Sequence, residues 1–430
     1  MTYTQHGNQV NKEIDRHIKI IVEEAKNKLK DNLVSLLLVG GLARGEGSVE
    51  VTRERIIPIN DYDIYAITKK PVNEKTLNEI SISATKKFGL KTSFSFVISD
   101  HKMNFYVDLR NLTLSSLRKV EPMVKYYEIK HSGRVVYGED VRKMIPDYNL
   151  KDIPPQEGMR FLFNRMSLLI ECFKPRYLYN EYSYEEKKAV VYYIIKNYLT
   201  IAEALLLLSK KFVPSYRKRA IILKKTYKND FPELYKEIPD LADKIMKYTA
   251  LKLKPSFELD IKTWFEARDD VFKVTKYYLK RAFNFSEDDA LKFPNKFKRK
   301  IRKIFLINYL KYYLRNKLKV NFGSTLLNRF AQVYLNYIYF KKLKRATGKH
   351  YFKIFLDTTD PGLKLYSAAP LILFSIELNK AVYTKLLESA VKQLGKVYPV
   401  PKIRKDNEQY WEDVAKYYAD AFRPYQFLKA

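Results

Sequence analysis

The stretch that decides the fold is LLLVGGLARGEGSVEVTRERIIPINDYDIY, residues 36–65. Its apolar run ends at a glycine pair, a pattern that predicts a buried strand closed by a tight turn. The segment IPINDYDIYAIT, residues 57–68, alternates apolar and polar positions and predicts a second strand. Asp61 and Asp63 stand two positions apart on that strand, so their carboxylates point to the same face.

The glycine pair, Gly40 and Gly41, predicts a short helix directly after the first strand. Glycine lets backbone N–H groups approach a ligand closely, and N–H groups at a helix start carry partial positive charge. Such a turn suits a phosphate group. Arg44, one turn later, can add a fixed positive charge to the same phosphates. We therefore interpret Gly40, Gly41 and Arg44 as candidate nucleotide-binding residues.

The two aspartates predict a metal site. Carboxylates on one strand face repel each other unless a cation lies between them, and Mg²⁺ prefers oxygen ligands and bridges to nucleotide phosphates. Asp108, in the alternating segment NFYVDLRN (104–111), is the candidate third carboxylate. Together Asp61, Asp63 and Asp108 predict a catalytic site for two Mg²⁺ ions, with Mn²⁺ as an alternative, that activates an attacking oxygen and neutralises the leaving group.

The order of predicted elements describes a compact α/β unit before about residue 150. In chain order these are a helix at 11–31, strands at 33–39 and 57–68, a helix at 73–88, and strands at 92–99 and 104–111. After residue 150 the pattern is helical. We predict an α+β fold, with a small mixed sheet in an N-terminal α/β domain and a largely α-helical C-terminal two-thirds. The predicted domains are 1–150, 151–290 and 291–430.

Composition limits the class of protein. The 430 residues are 46% hydrophobic, which is enough for packed cores. Cys172 is the single cysteine, so a disulfide within the chain is excluded and a reducing compartment, the cytoplasm, is favoured. The N-terminus lacks the apolar stretch of a signal peptide. The most apolar segment, 190–208, contains Lys196 and Glu203 and predicts a core helix rather than a transmembrane segment.

Positive charge concentrates at the C-terminal end. The net charge is +32, and residues 291–430 hold 29 basic and 9 acidic side chains. Residues 291–356 hold 18 basic and no acidic ones. Such a field attracts polyanions, RNA or DNA among them, whereas the alternative is a well-solvated lysine-rich surface. The densest cluster, our candidate nucleic-acid-binding site, consists of Lys298, Arg299, Lys300, Arg302 and Lys303.

Three motifs in order, VGGLARGEGS, NDYDIY and FYVDLR, resemble the nucleotidyltransferase superfamily of the DNA polymerase β type. The glycine pair matches its first motif, Asp61 and Asp63 the second, and Asp108 the third. The segment GRVVYGEDV (133–141) resembles the one that often closes the catalytic core. The resemblance covers about residues 30–145 and implies a nucleotidyltransferase-type α/β domain.

The spacing departs from the family pattern. Nineteen residues separate Gly41 from Asp61, more than is usual. The excess lies in SVEVTRERIIPI and predicts an inserted hairpin with Val49–Thr52 and Ile56–Ile59 as its arms.

The resemblance implies that the chain binds a nucleoside triphosphate such as ATP and transfers its nucleoside monophosphate to an acceptor hydroxyl, deprotonated near Asp108, with release of pyrophosphate. It also implies that the helical domain 151–290 closes the cleft. The basic C-terminal region favours a nucleic-acid 3′ end as acceptor. One alternative is transfer to a small molecule, a glycan precursor or a protein, and another is a non-catalytic nucleic-acid- or partner-binding protein.

Overall fold

The computed structural model describes residues 2–52, 56–59, 61–89, 107–301, 360–404 and 407–426, with scattered positions between 333 and 348. The chain divides into two compact units. Unit 1 comprises Met1–Gly158 and Ile195–Glu258, and unit 2 comprises Met159–Ile194 and Leu259–Ala430. Helical residues from the middle of the chain thus pack with the α/β part in unit 1.

The first part of unit 1 alternates helices and short strands, as predicted. The elements are α1 (Asn8–Leu29), β1 (Leu33–Leu38), α2 (Gly40–Ala43), β2 (Val49–Val51), β3 (Ile56–Pro58), β4 (Tyr62–Thr68), α3 (Glu74–Lys87), β5 (Val107–Thr113), α4 (Leu114–Leu117), α5 (Val124–Ser132) and β6 (Arg134–Gly138). The predicted strand at 92–99 lies outside the described residues. The other predicted helices and strands are confirmed, with boundaries that shift by a few residues.

Within the described residues, the main sheet is mixed and has the strand order β5-β4-β1-β6. β1 runs antiparallel to β4 and β6, whereas β4 and β5 run parallel. β1 lies inside the sheet and is apolar because both of its faces are buried. One face packs on α1 and α3, and the other on α4, α5 and the residues after β6. The predicted small mixed sheet is confirmed.

The residues between the glycines and the aspartates form the predicted hairpin. β2 and β3 pair antiparallel, with Val49 opposite Pro58. The backbone N–H of Ile59 donates to the carbonyl of Ser48 at 3.0 Å and closes the base of the hairpin. The insertion therefore lengthens the chain between the two motifs while its ends stay together.

The rest of the described chain is largely helical, which confirms the predicted α+β class. The helices are α6 (Gln156–Cys172), α7 (Tyr184–Leu208), α8 (Tyr216–Asp230), α9 (Pro232–Glu237), α10 (Leu241–Leu253), α11 (Lys262–Phe283), α12 (Pro361–Leu373), α13 (Thr384–Leu394) and α14 (Asn407–Gln426). Residues 293–301 are also helical.

Helix α7 is, in the described part of the chain, the one helix long and apolar enough to cross a membrane. Its most apolar window is 89% buried inside the protein. Burial of this kind is what a core helix shows, as the charged residues within the segment predicted.

Aromatic side chains form much of the core of unit 2. Trp264 stacks on Phe173 with 4.1 Å between ring centroids, and its indole N–H donates to a backbone carbonyl at 3.1 Å. Trp411 is also fully buried, and its N–H likewise donates to a carbonyl at 3.0 Å. Each buried polar tip therefore has a partner, as a dry core requires.

Candidate active site

The aspartates of β4 and β5 lie side by side at one end of the sheet. Asp63 is the register partner of Asp108 across the parallel strand pair. Asp61 directly precedes β4 and interacts electrostatically with both of the others. The fold thus brings together three carboxylates that are up to 47 positions apart in sequence.

Burial and mutual repulsion disfavour the ionised form of these carboxyls. Loss of water raises the pKa of Asp63 to about 7, and the charges of Asp108 and Asp61 add to the effect. Loss of water also raises the pKa of Asp61 to about 6, with Lys196 opposing the rise and Asp108 adding to it. Asp61 is exposed, so solvent weakens the effect there. Asp61 and Asp63 therefore repel each other when ionised, and a bound cation would relieve this repulsion.

Arg110 already pairs with Asp108. Its guanidinium donates to Asp108 Oδ2 from Nη2 at 2.5 Å and from Nε at 3.0 Å. As the side chains stand, no group of three or more His, Cys, Asp or Glu among the described residues is arranged to hold a metal ion. The Asp108 carboxylate is therefore engaged by Arg110 in this arrangement.

Gly40 brings the glycine turn directly against Asp63. Its φ is +70°, and a Cβ at this position would lie 2.8 Å from Asp63 Oδ2. The backbone N–H of Val39 also donates to the carbonyl of Asp63 at 2.9 Å. Glycine is thus required both for the left-handed backbone and for the close approach of the carboxylate.

Gly41 also has a structural reason to be glycine. We interpreted it as a residue that lets a phosphate approach the backbone. In the structure a Cβ there would lie 2.9 Å from the carbonyl oxygen of Glu46. Because protein backbone fills that space, a bulky residue at Gly41 disturbs the fold of the turn itself.

We expect Gly40→Ala to weaken Mn²⁺ or Mg²⁺ binding strongly, because the new Cβ displaces the Asp63 carboxylate. The left-handed backbone also costs roughly 1–2 kcal/mol of stability. Gly89→Ala is the matched control, since Gly89 has φ +74° and nothing within 4 Å of its Cβ position. Calorimetric metal titrations of both variants should show loss of affinity in Gly40→Ala alone, and equal losses would contradict this role of Gly40.

Arg44 is buried, and its charge is used inside unit 1. Its Nε lies 3.3 Å from Glu46 Oε2, and its Nη1 lies 3.6 Å from Glu128 Oε1. The guanidinium also lies over the ring of Tyr216, 4.7 Å from the centroid. Arg44 therefore pairs with carboxylates of unit 1 in this structure, and its binding of phosphate stays a prediction.

A buried lysine that sequence analysis did not single out lies near the aspartates. Lys252, near the end of α10, donates from Nζ to Ser48 Oγ at 2.6 Å. Burial, together with Lys196 and Arg44, holds the pKa of Lys252 well below its ordinary value, while Asp63 opposes the decrease. Loss of water and the neighbouring cations therefore disfavour the charged form of Lys252, and negative charge near it favours that form.

Lys196 of α7 also interacts electrostatically with Asp61 and Asp63. In the sequence, Lys196 stands out as a charged side chain within an apolar predicted helix. That signal indicated a buried charge, but nothing in the local pattern indicated which partner it meets.

Tyr62 holds β4 from the face opposite the aspartates. Its hydroxyl lies 2.8 Å from Nδ1 of His17 on α1, and the His17 ring stacks on Phe88 with 4.2 Å between centroids. Burial lowers the pKa of His17 to about 4, so the ring is neutral at physiological pH. The pair is a neutral anchor for the strand that carries the aspartates.

The raised pKa of Asp63 predicts a pH-dependent effect on stability. Its folded-state pKa, about 7, exceeds its ordinary value of 3.8, so its contribution to stability is present below about pH 4 and is lost as the pH rises through 7. We expect metal-free Asp63→Asn to be more stable than wild type at pH 8, by a few kcal/mol at most, and little different near pH 4. Chemical denaturation at both pH values measures this, and a pH-independent difference would contradict it.

The basic cluster predicted to bind nucleic acid is only partly described. Lys298 is buried and donates to a glutamine side chain at 2.7 Å, so it is not part of an exposed basic face. Arg299 and Lys300 are exposed. Arg302 and Lys303 lie outside the described residues.

No protein-family profile matches the chain, and no curated protein matches it in sequence. One solved structure that is similar is that of spectinomycin adenyltransferase AAD(9) from Enterococcus faecialis with ATP and spectinomycin. The two chains are 13% identical with a TM-score of 0.35, and the match covers 61% of this chain and 99% of that one. A likeness at this level does not assign the chain to a family.

Proposed function

We propose that the chain is a Mg²⁺-dependent nucleotidyltransferase, which moves a nucleoside monophosphate from a nucleoside triphosphate to an acceptor hydroxyl and releases pyrophosphate. The observation that supports this most is the meeting of Asp61, Asp63 and Asp108 beside the Gly40 turn. Carboxylates gathered in this way oppose folding unless they bind a positive group. A divalent metal ion is such a group, and it also binds phosphate oxygens.

The donor set fits Mg²⁺, because carboxylate oxygens are its preferred protein ligands and binding relieves the repulsion that raises the pKa of Asp63. Asp61 and Asp63 would hold the ion, and Asp108, released from Arg110, would complete the two-ion site predicted from the sequence. Mn²⁺ suits the same ligands. When bound, such ions activate the attacking oxygen and neutralise the leaving pyrophosphate.

Other side chains of unit 1 supply charge and proton transfer. Lys196 and Lys252 place positive charge near the aspartates, where it stabilises a polyphosphate and its leaving group. Arg110, once Asp108 turns away, has a free fork of donors for a phosphate oxygen. Asp108, on β5, is the candidate acceptor of the proton from the attacking hydroxyl.

For the acceptor we propose a nucleic-acid 3′ end, on the basis of the charge of residues 291–430. The exposed Arg299 and Lys300 support this. The buried Lys298 and the ion pair between Lys292 and Asp289, 3.2 Å apart, favour the alternative of a small-molecule, glycan or protein acceptor. The burial of Lys298 and the pairing of Lys292 leave less exposed positive charge to bind a nucleic acid.

The test uses nucleoside triphosphates labelled at the α-phosphate, with Mg²⁺ and three separate acceptor pools: RNA and DNA oligonucleotides, a small-molecule extract, and proteins. We expect pyrophosphate release and label in one pool, the oligonucleotides. Label confined to another pool would contradict the nucleic-acid acceptor alone. Triphosphate binding without any transfer would contradict the enzyme and leave a binding protein.

A further inference from the structure

Glu46 is a buried carboxylate that joins two distant parts of unit 1. Its backbone N–H donates to the carbonyl of Gly41 at 2.8 Å, so the residue belongs to the glycine turn. Only 5% of Glu46 is exposed. Its side chain reaches the start of α8, 170 positions later in the sequence.

The Glu46 carboxylate caps the N-terminus of α8. Oε1 accepts hydrogen bonds from Ser215 Oγ at 2.6 Å and from the backbone N–H of Arg217 at 3.1 Å. Oε2 accepts from the backbone N–H of Tyr216 at 2.9 Å. The first N–H groups of a helix have no partner within it, and negative charge is favoured beside them. Ser215 adds a local cap, because its hydroxyl accepts from the backbone N–H of Lys218 at 3.2 Å, and the Glu46 carboxylate adds one from a different part of the chain.

Two arginines extend this contact into a buried network. Arg44 lies between Glu46 and Glu128, at 3.3 and 3.6 Å. Arg219 of α8 pairs with the same oxygen of Glu128 and lies 3.7 Å from Glu203 of α7. Both guanidiniums are almost fully buried. The glycine turn, α5, α7 and α8 are therefore held by one set of charges.

A buried ion network contributes little net stability, because the loss of hydration offsets the attraction between the charges. What its directional hydrogen bonds do define is one arrangement of the groups that they join. Here they join the turn that lies against Asp63 to α8, which packs along α10. Lys252 near the end of α10 in turn donates to Ser48, two residues beyond Glu46.

We propose that Glu46 is a positioning residue of the site. By holding the start of α8 against the glycine turn, it sets the place of Lys252 relative to Asp63. Glu46 does not contact the reacting groups and acts through Lys252. The inference rests on the proposed function, since Lys252 matters to activity only if a polyphosphate binds there.

The first experiment tests the contact without any ligand. Amide hydrogen exchange is followed in wild type, Glu46→Gln and the milder Ser215→Ala. We expect faster exchange in residues 40–47 and in the first turn of α8 together, because the two segments open as one. The matched control is Asn73→Ala, since Asn73 caps α3 through the N–H of Thr76 at 2.8 Å and should affect α3 alone. Faster exchange in α8 with an unchanged glycine turn would overturn the proposal.

The second experiment measures binding of ATP with Mg²⁺, well below the unfolding temperature of each variant. We expect Glu46→Gln to weaken affinity about tenfold. In a Lys252→Met background the same change should have a much smaller effect, because the side chain that Glu46 positions is already absent. Equal losses in both backgrounds would overturn the positioning role.

The two experiments separate the inference from the proposed function. If wild type binds none of the four ribonucleoside triphosphates, the proposed function fails. The exchange experiment then still shows whether Glu46 joins the turn to α8, and independent opening of the two segments overturns the inference by itself.

Discussion

The Asp61→Asn/Asp63→Asn double variant is expected to lose about a thousandfold or more of the transfer rate, because it removes two carboxylate ligands of the proposed cation. Label transfer from an α-labelled triphosphate measures the rate. The exposed Asp31→Asn is the control for an ordinary loss of charge and should keep the wild-type rate.

Stability measurements show whether unfolding, rather than loss of the metal ligands, causes the lower transfer rate. Asp63→Asn removes a carboxyl whose pKa is raised to about 7, so the metal-free variant should be at least as stable as wild type at pH 8. A double variant that keeps the wild-type rate would show that these aspartates do not bind a catalytic cation.

Lys252→Met is expected to weaken triphosphate binding by about 10- to 100-fold, because it removes a charged hydrogen-bond donor. The same change should leave the free energy of unfolding unchanged or raise it. Burial holds the pKa of Lys252 well below its ordinary value, and an apolar side chain of similar length avoids the cost of burying an amine.

Binding isotherms and denaturation curves of the same samples separate these two effects. Lys254→Met is the matched control, because Lys254 directly follows α10 and is exposed. Loss of binding in the control as well would indicate a general effect of net charge. A large loss of stability in Lys252→Met without loss of binding would mean that Lys252 is a structural residue.

Nearby positive side chains and a retained proton allow the three carboxylates to lie near one another in the absence of a cation. Arg110 pairs with Asp108, Lys196 interacts with the other two, and a raised pKa lets Asp63 retain a proton. Cation binding by Asp63 should therefore release a proton below about pH 7, because the carboxyl must ionise to bind it. If a cation binds at this end of the sheet, the stability of unit 1 should rise with the cation concentration.

Local sequence patterns were sufficient for β1, β4 and β5, but β6 was not predicted as a strand. β1 is a continuous apolar run. The alternation of residues 57–68 predicted that Asp61 and Asp63 share one face, and in the structure Asp63 lies in β4 whereas Asp61 directly precedes it. The hairpin insertion could likewise be predicted from its two apolar arms. Asp108 was placed on a strand correctly, but its position opposite Asp63 depends on parallel pairing, which no local pattern specifies.

Tertiary structure decided which charged side chains lie near the aspartates and which form ion pairs elsewhere in unit 1. Arg44 was predicted to contact phosphate, and the structure adds its ion pairs with Glu46 and Glu128, which no local pattern indicated. Lys196 and Lys252 showed no motif, and they reach the aspartates because residues 195–258 fold back onto the α/β part. Periodicity reports how one segment meets solvent and core, whereas the partner of a buried charge depends on which distant segments the topology brings within a few ångströms of it.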